Sequence, residues 1–169
     1  MALNLSVLKD IRTASGKQID KVVTKSGKVL WTRATPYYPT FIGTSYWKKV
    51  DVTDNSATPF GVNNDCVWVS AQNNEQMTDF ATSVYSATFN TQGCNKVRIY
   101  AKSECGGRGD KGNIFVNGVG QSVPESKTYL YYDIDPNSST FTVTLNSVND
   151  SSYYSLDVQL YEIYVYYEA

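Results

Sequence analysis

The chain has 169 residues and a mass of 18.8 kDa, enough for one domain and too short for two full ones. Charged residues make up 18% of it with a net charge of −1, aromatics reach 14% with 14 tyrosines, and His is absent. The lack of His removes Ser-His-Asp and Cys-His nucleophiles, the H-E-x-x-H zinc site and any imidazole base, so no enzyme is expected. No run approaches the ~20 apolar residues of a membrane span, and residues 1–18 lack the apolar stretch of a signal peptide.

Residues 2–12 fit two patterns: Leu3, Leu5 and Val7 alternate as in a strand, while Leu5, Leu8 and Ile11 keep a helical spacing. Ser15-Gly16 marks a turn. Val22-Val23 and Val29-Leu30-Trp31 flank Lys25-Ser26-Gly27-Lys28, which is a hairpin signal. Residues 1–33 hold seven basic and two acidic residues, a net +5 that leaves −6 for the rest. The basic residues are spread through a strand pattern rather than run together, so solvated hairpin lysines are expected and nucleic acid is not. A lone hairpin is marginal in water, so this segment must dock, either on the main domain or on another subunit. Val22, Val29, Leu30 and Trp31 are its expected docking face. Pro36-Tyr37-Tyr38-Pro39 then reads as a stiff linker, giving a docking segment at 1–35 and a main domain at 36–169.

From about residue 40 the pattern is β throughout. Strands are predicted at Cys66–Ala71, Ala81–Phe89, Lys96–Lys102, Asn113–Val119, Tyr129–Ile134, Thr140–Leu145 and Ser155–Tyr166. Turn signals recur between them, at Asn63-Asn64-Asp65, Gln92-Gly93, Asn117-Gly118 and Asp135-Pro136-Asn137. No repeat of 20–50 residues is visible. In the last strand Leu156, Val158 and Leu160 share one face but Ile163 and Val165 fall on the other, which predicts a bulge near Tyr161-Glu162. The expected fold is all-β, an antiparallel jelly-roll-type sandwich preceded by a hairpin anchor.

Three cysteines, Cys66, Cys94 and Cys105, are an odd count and read as reduced thiols, two in loops and one packed. Asp133-x-Asp135-x-Asn137-x-Ser139 mimics half of a calcium loop. However, Ser138 stands where that loop needs Gly and Thr144 where it needs Glu. The sequence therefore predicts turn-forming side chains there, with no metal and no cofactor, calcium being the one alternative. Arg108-Gly109-Asp110 spells an adhesion tripeptide but reads as a charged flexible loop.

The tyrosines say more. With Leu130, Tyr132 and Ile134 inward, Tyr129 and Tyr131 point outward. With Val97 and Ile99 inward, Tyr100 faces out beside Arg98. Exposed Tyr offers flat, rigid contact area with a hydroxyl, which suits neutral sugars or protein subunits, whereas cross-strand pairing would need no ligand. Tyr100, Tyr129, Tyr131 and Arg98, with Asn73 and Asn74 as hydrogen-bonding partners, form the candidate saccharide platform.

Two resemblances follow from these residues. Asp10–Lys17 and Val22–Trp31, a strand, a Gly-Lys turn and Leu-Trp, resemble hairpins of bacteriophage tail and fibre proteins. Phe89–Gly93, Lys96–Lys102, Ile114–Gly118 and Leu160–Val165 resemble the galactose-binding-like, carbohydrate-binding-module sandwich. Together they imply a non-enzymatic virion protein made in the bacterial cytoplasm and carried in many copies or as a homo-oligomer. It would be docked on other virion proteins by its N-terminal segment and would display a lectin-like module for host or mucus glycans. The alternatives are a capsid or tail cement protein that binds no glycan, and a bacterial carbohydrate-binding accessory module.

Overall fold

The computed structural model describes residues 11–33, 35–37, 44–53, 58–72, 81–105, 111–149 and 155–168. Of the ambiguous stretch at 2–12, Ile11 and Arg12 are described, and they are extended. Four short strands open the chain: β1 (Ile11–Arg12), β2 (Gln18–Ile19), β3 (Lys21–Val23) and β4 (Val29–Thr32). They pair β1 with β2 and β3 with β4, so the expected hairpin forms and a second one precedes it.

The two turns are copies of each other, eleven residues apart. Thr13-Ala14-Ser15-Gly16-Lys17 and Thr24-Lys25-Ser26-Gly27-Lys28 close by the same bonds. The Thr13 N–H donates to the Lys17 carbonyl at 2.8 Å, as the Thr24 N–H does to that of Lys28 at 2.8 Å. The two Thr side chains each accept from the Lys N–H, at 3.1 and 3.0 Å, and meet the Ser hydroxyls at 2.9 and 2.8 Å. Gly16 and Gly27 take φ of +83° and +88°, a conformation that explains why both turns carry Gly. The second hairpin leans on the first through Arg33, which donates to the Ile19 carbonyl at 2.8 Å and lies 3.2 Å from Asp20.

The main body comprises β5 (Thr35–Tyr37), β6 (Lys48–Val52), β7 (Phe60–Val62), β8 (Val67–Gln72), β9 (Ala81–Asn90) and β10 (Lys96–Cys105). It continues with β11 (Lys111–Val116), β12 (Val119–Ser122), β13 (Thr128–Asp133), β14 (Thr140–Asn149) and β15 (Ser155–Tyr166). One antiparallel sheet runs β13-β10-β15-β8-β7, with β5 also on β15; the other runs β12-β11-β14-β9-β6. Both alternate buried and open residues, and their inner faces merge into a single core. Val97, Ile99, Val158, Leu160 and Ile163 come from the first sheet and Ile114, Val116, Phe141, Val143 and Leu145 from the second. The fold is therefore the antiparallel β-sandwich that the alternation predicts.

Several details depart from the sequence reading. The stretch read as a linker contributes a strand: Thr35–Tyr37 pairs with Ile163–Val165, and Pro36 is tolerated because this is an edge position. Tyr38 and Pro39 lie outside the described residues. The single strand expected at Asn113–Val119 is two, folded back at Asn117-Gly118 with both residues at positive φ. The strand expected to stop at Lys102 continues to Cys105, so that cysteine is in the strand rather than in a loop.

The interior polar groups are mostly matched to backbone. Ser83, Ser103 and Ser147 donate to the carbonyls of Pro59, Val123 and Leu156 at 2.9, 2.7 and 2.7 Å. On the flank where β12 and β13 are the outer strands, the Gln121 amide donates to the Tyr131 carbonyl at 2.6 Å. There the Tyr132 hydroxyl also donates to that of Ile114 at 2.7 Å.

Trp31 is 2% exposed within this chain, Val22 is its cross-strand partner, and Leu30 is half-buried. Val29 is in β4, its side chain outside the described set. Lys21 reaches the Gly93 turn, where a Cβ would meet its Nζ at 3.4 Å. The hairpin thus lies against the loop entering β10, and Trp31 is covered by its own chain rather than open to another subunit.

Candidate functional site

The outer face of the β13-β10-β15 sheet collects the tyrosines. Register places Tyr131 opposite Arg98 and Arg98 opposite Tyr164; one step along, Tyr129 faces Tyr100 and Tyr100 faces Glu162. Tyr129 and Tyr131 are 43% and 55% exposed, and Leu130, Tyr132 and Ile134 are buried, as the alternation predicts. The Tyr100 and Tyr129 rings stack at 4.6 Å, and Tyr100 meets Tyr161 at 5.8 Å. The Arg98 guanidinium lies 4.6 Å from both the Tyr129 and the Tyr164 ring centres. Its Nε is buried without a hydrogen bond, so this arginine is engaged mainly through ring faces.

The bulge is where it was expected. Tyr100 pairs with Glu162 and Ala101 with Leu160, which leaves Tyr161 as the extra residue. Because of it, Leu160 and Ile163 both reach the core while Tyr161 and Glu162 turn to the outer face. There they line a cleft of about 520 Å³ with Tyr100, Lys127, Gln159 and the loop Asn63-Asn64-Asp65-Cys66.

The groups in this cleft are held in defined states. Asn63 Oδ1 accepts from the backbone N–H groups of Asp65 and Cys66, both at 2.8 Å, which shapes the loop. The Tyr161 hydroxyl donates to Gln159 Oε1. The Lys127 ammonium sits 4.0 Å over the centre of the Tyr161 ring. Burial pushes the Tyr161 phenol up from its ordinary value, with the Cys66 thiol adding to this, so the phenol is a neutral donor near pH 7. Burial likewise raises the Cys66 thiol, which makes it a poor nucleophile. The cleft can stack a ring and exchange hydrogen bonds.

Of the residues named from sequence, the fold brings Tyr100, Tyr129, Tyr131 and Arg98 onto one face, and of these Tyr100 lines the cleft. Asn73 and Asn74 lie outside the described residues, as does Arg108-Gly109-Asp110. The calcium alternative finds its side chains otherwise employed. Asp133 pairs with Lys96, and Asp135 Oδ1 accepts from the Asn137 N–H at 2.9 Å and from its side-chain amide at 3.1 Å, a turn-forming arrangement. Among the described residues no cluster of His, Cys, Asp and Glu is arranged to hold a metal.

Sequence reasoning missed Tyr161, Glu162, Gln159, Lys127 and the Asn63–Cys66 loop as site residues. The parity change at Tyr161 was the available signal, since a bulge re-aims the side chain it frees.

No family model matches the chain, and no curated protein matches it by sequence. Among solved structures, it is similar to a carbohydrate-binding module studied for specific mannan recognition (TM-score 0.49, 11% identity, 82% of this chain and 98% of that one). It is also similar to one solved with beta-1,4-galactotriose (TM-score 0.41, 13% identity, 80% and 88%). A third, solved with calcium and xylotriose, gives a TM-score of 0.33 at 15% identity, covering 78% of this chain and 98% of that one.

Proposed function

We propose that this β-sandwich is a non-catalytic saccharide-binding module whose site is the cleft around Tyr161. The observation that carries this is the bulge. It turns a tyrosine ring and a carboxylate out of the sheet into a cleft already lined by a second tyrosine and by side-chain amides. Aromatic faces with a few directed polar groups are what a sugar ring, apolar on its faces and hydroxylated at its rim, requires. The test is binding of the full chain to a broad panel of oligosaccharides, followed by Tyr161→Ala and Gln159→Ala in the cleft and Tyr131→Ala outside it. Binding lost in the first two and kept in the third supports the reading. Absence of binding across the panel leaves the sandwich a structural cement.

The setting we propose with it is a virion protein, carried in many copies, as the N-terminal resemblance implies. Avidity would then multiply a weak single site ~10²–10⁴-fold. Deleting residues 1–33 should stop incorporation into particles, and normal incorporation would end that part of the proposal.

A further inference from the structure

We infer that the saccharide this cleft takes is an acidic one, its carboxylate received by Lys127. This rests on the reading of the cleft as a saccharide site. The cations on the sheet face are otherwise committed: Lys96 to Asp133 and, at 3.4 Å, to Glu168; Lys102 to Glu104; Arg98 to two ring faces. Lys127 differs. It is exposed at the cleft wall, it has no ion pair among the described residues, and its ammonium rests over Tyr161 at 4.0 Å. A cation resting on a ring face at an exposed site is held weakly, so it is available to an anion that brings further hydrogen bonds of its own.

Two of the three side-chain amides in the cleft, Asn63 and Gln159, point the same way. Asn63 Oδ1 and Gln159 Oε1 are already accepting, which leaves the NH2 groups of both side chains as what they offer a ligand. Lys127 Nζ, Asn63 Nδ2 and Gln159 Nε2 are therefore donors, and a carboxylate is a sugar substituent that takes several donors at once. Asp65 and Glu162, the acidic residues lining the cleft, are acceptors for the ring hydroxyls. Displacing the ammonium from Tyr161 also frees that ring face for the pyranose, so one movement serves both contacts.

The experiment measures binding of the full chain to oligogalacturonate, hyaluronan oligosaccharides and sialyl oligosaccharides, each beside its methyl-esterified or neutral counterpart. The expected result is that at least one acid binds about tenfold or more tightly than its uncharged counterpart, as loss of a charge-assisted hydrogen bond implies. That preference should shrink with added salt and vanish in Lys127→Met, while the variant keeps its melting temperature. Neutral sugars binding as well as acids, with Lys127→Met unaffected or tighter, would overturn the inference while leaving the saccharide site standing. No binding to any probe, charged or neutral, would remove both.

Discussion

The guanidinium of Arg98 lies 4.6 Å from the ring centre of Tyr164, the residue opposite it on the neighbouring strand, and at the same distance from Tyr129 on the other side. The contact joins three adjacent strands by one side chain. A planar, weakly hydrated cation fits between rings where a compact ammonium does not. Arg98→Lys should cost about 0.5–2 kcal/mol of stability, read from urea unfolding, and leave the saccharide binding proposed for the Tyr161 cleft intact.

Deleting Tyr161 should be far more damaging than truncating it. Without the extra residue every later side chain of β15 changes face, and Ile163 and Val165, both fully buried, turn outward. Their transfer alone costs about 3–6 kcal/mol, comparable with the whole stability of a small domain. The deletion variant should lose its near-ultraviolet circular dichroism, whereas Tyr161→Ala should keep it.

Asp157 on β15 is raised above the ordinary carboxylate value, by burial first and then by Glu104 opposite it, with a Ser70 hydrogen bond opposing. Lys102 is the cation on that stretch and is paired to Glu104. A raised carboxyl holds its proton more tightly folded than unfolded. Its contribution is thus fully present below the unfolded value of 3.8 and is lost as pH rises through the folded one. Asp157→Asn should therefore raise the melting temperature at pH 7 by a few degrees and have little effect near pH 3, as thermal melts at the two pH values would show.

Cys66 and Cys94 are buried and free, and burial lifts the Cys94 thiol to about 12. Neither should react with a disulfide reagent at pH 8 while the chain is folded. At least two fewer thiols should titrate in the native protein than in guanidinium, where all 3 cysteines are open.

The sandwich was legible because its strands alternate cleanly: Thr140–Leu145 and Tyr129–Ile134 fix their own buried faces, and the parity break fixes the bulge. The cleft was not, because it joins a loop near residue 63, the residue before β13 and the bulge of β15. Only cross-strand register brings these together. Trp47 was equally invisible: a short 3-10 turn at Thr44–Tyr46 with no periodicity delivers it into the core, 6.3 Å from Phe60 and 6.1 Å from Phe89. The duplicated Thr-x-Ser-Gly-Lys turn escaped notice because its period of eleven falls below the spans at which repeats are sought.

The bond from Gln121 to the Tyr131 carbonyl bears on how copies of this protein can crowd together. An outer strand is a template for any passing strand, and the template works only if its backbone acceptors are vacant. On β13 one of them is already filled by the molecule's own opposite sheet. A strand added to that flank would have to displace the amide from this carbonyl first. The opposite sheet thus caps part of the β13 edge, as native sheets do to keep their edges from pairing with other chains.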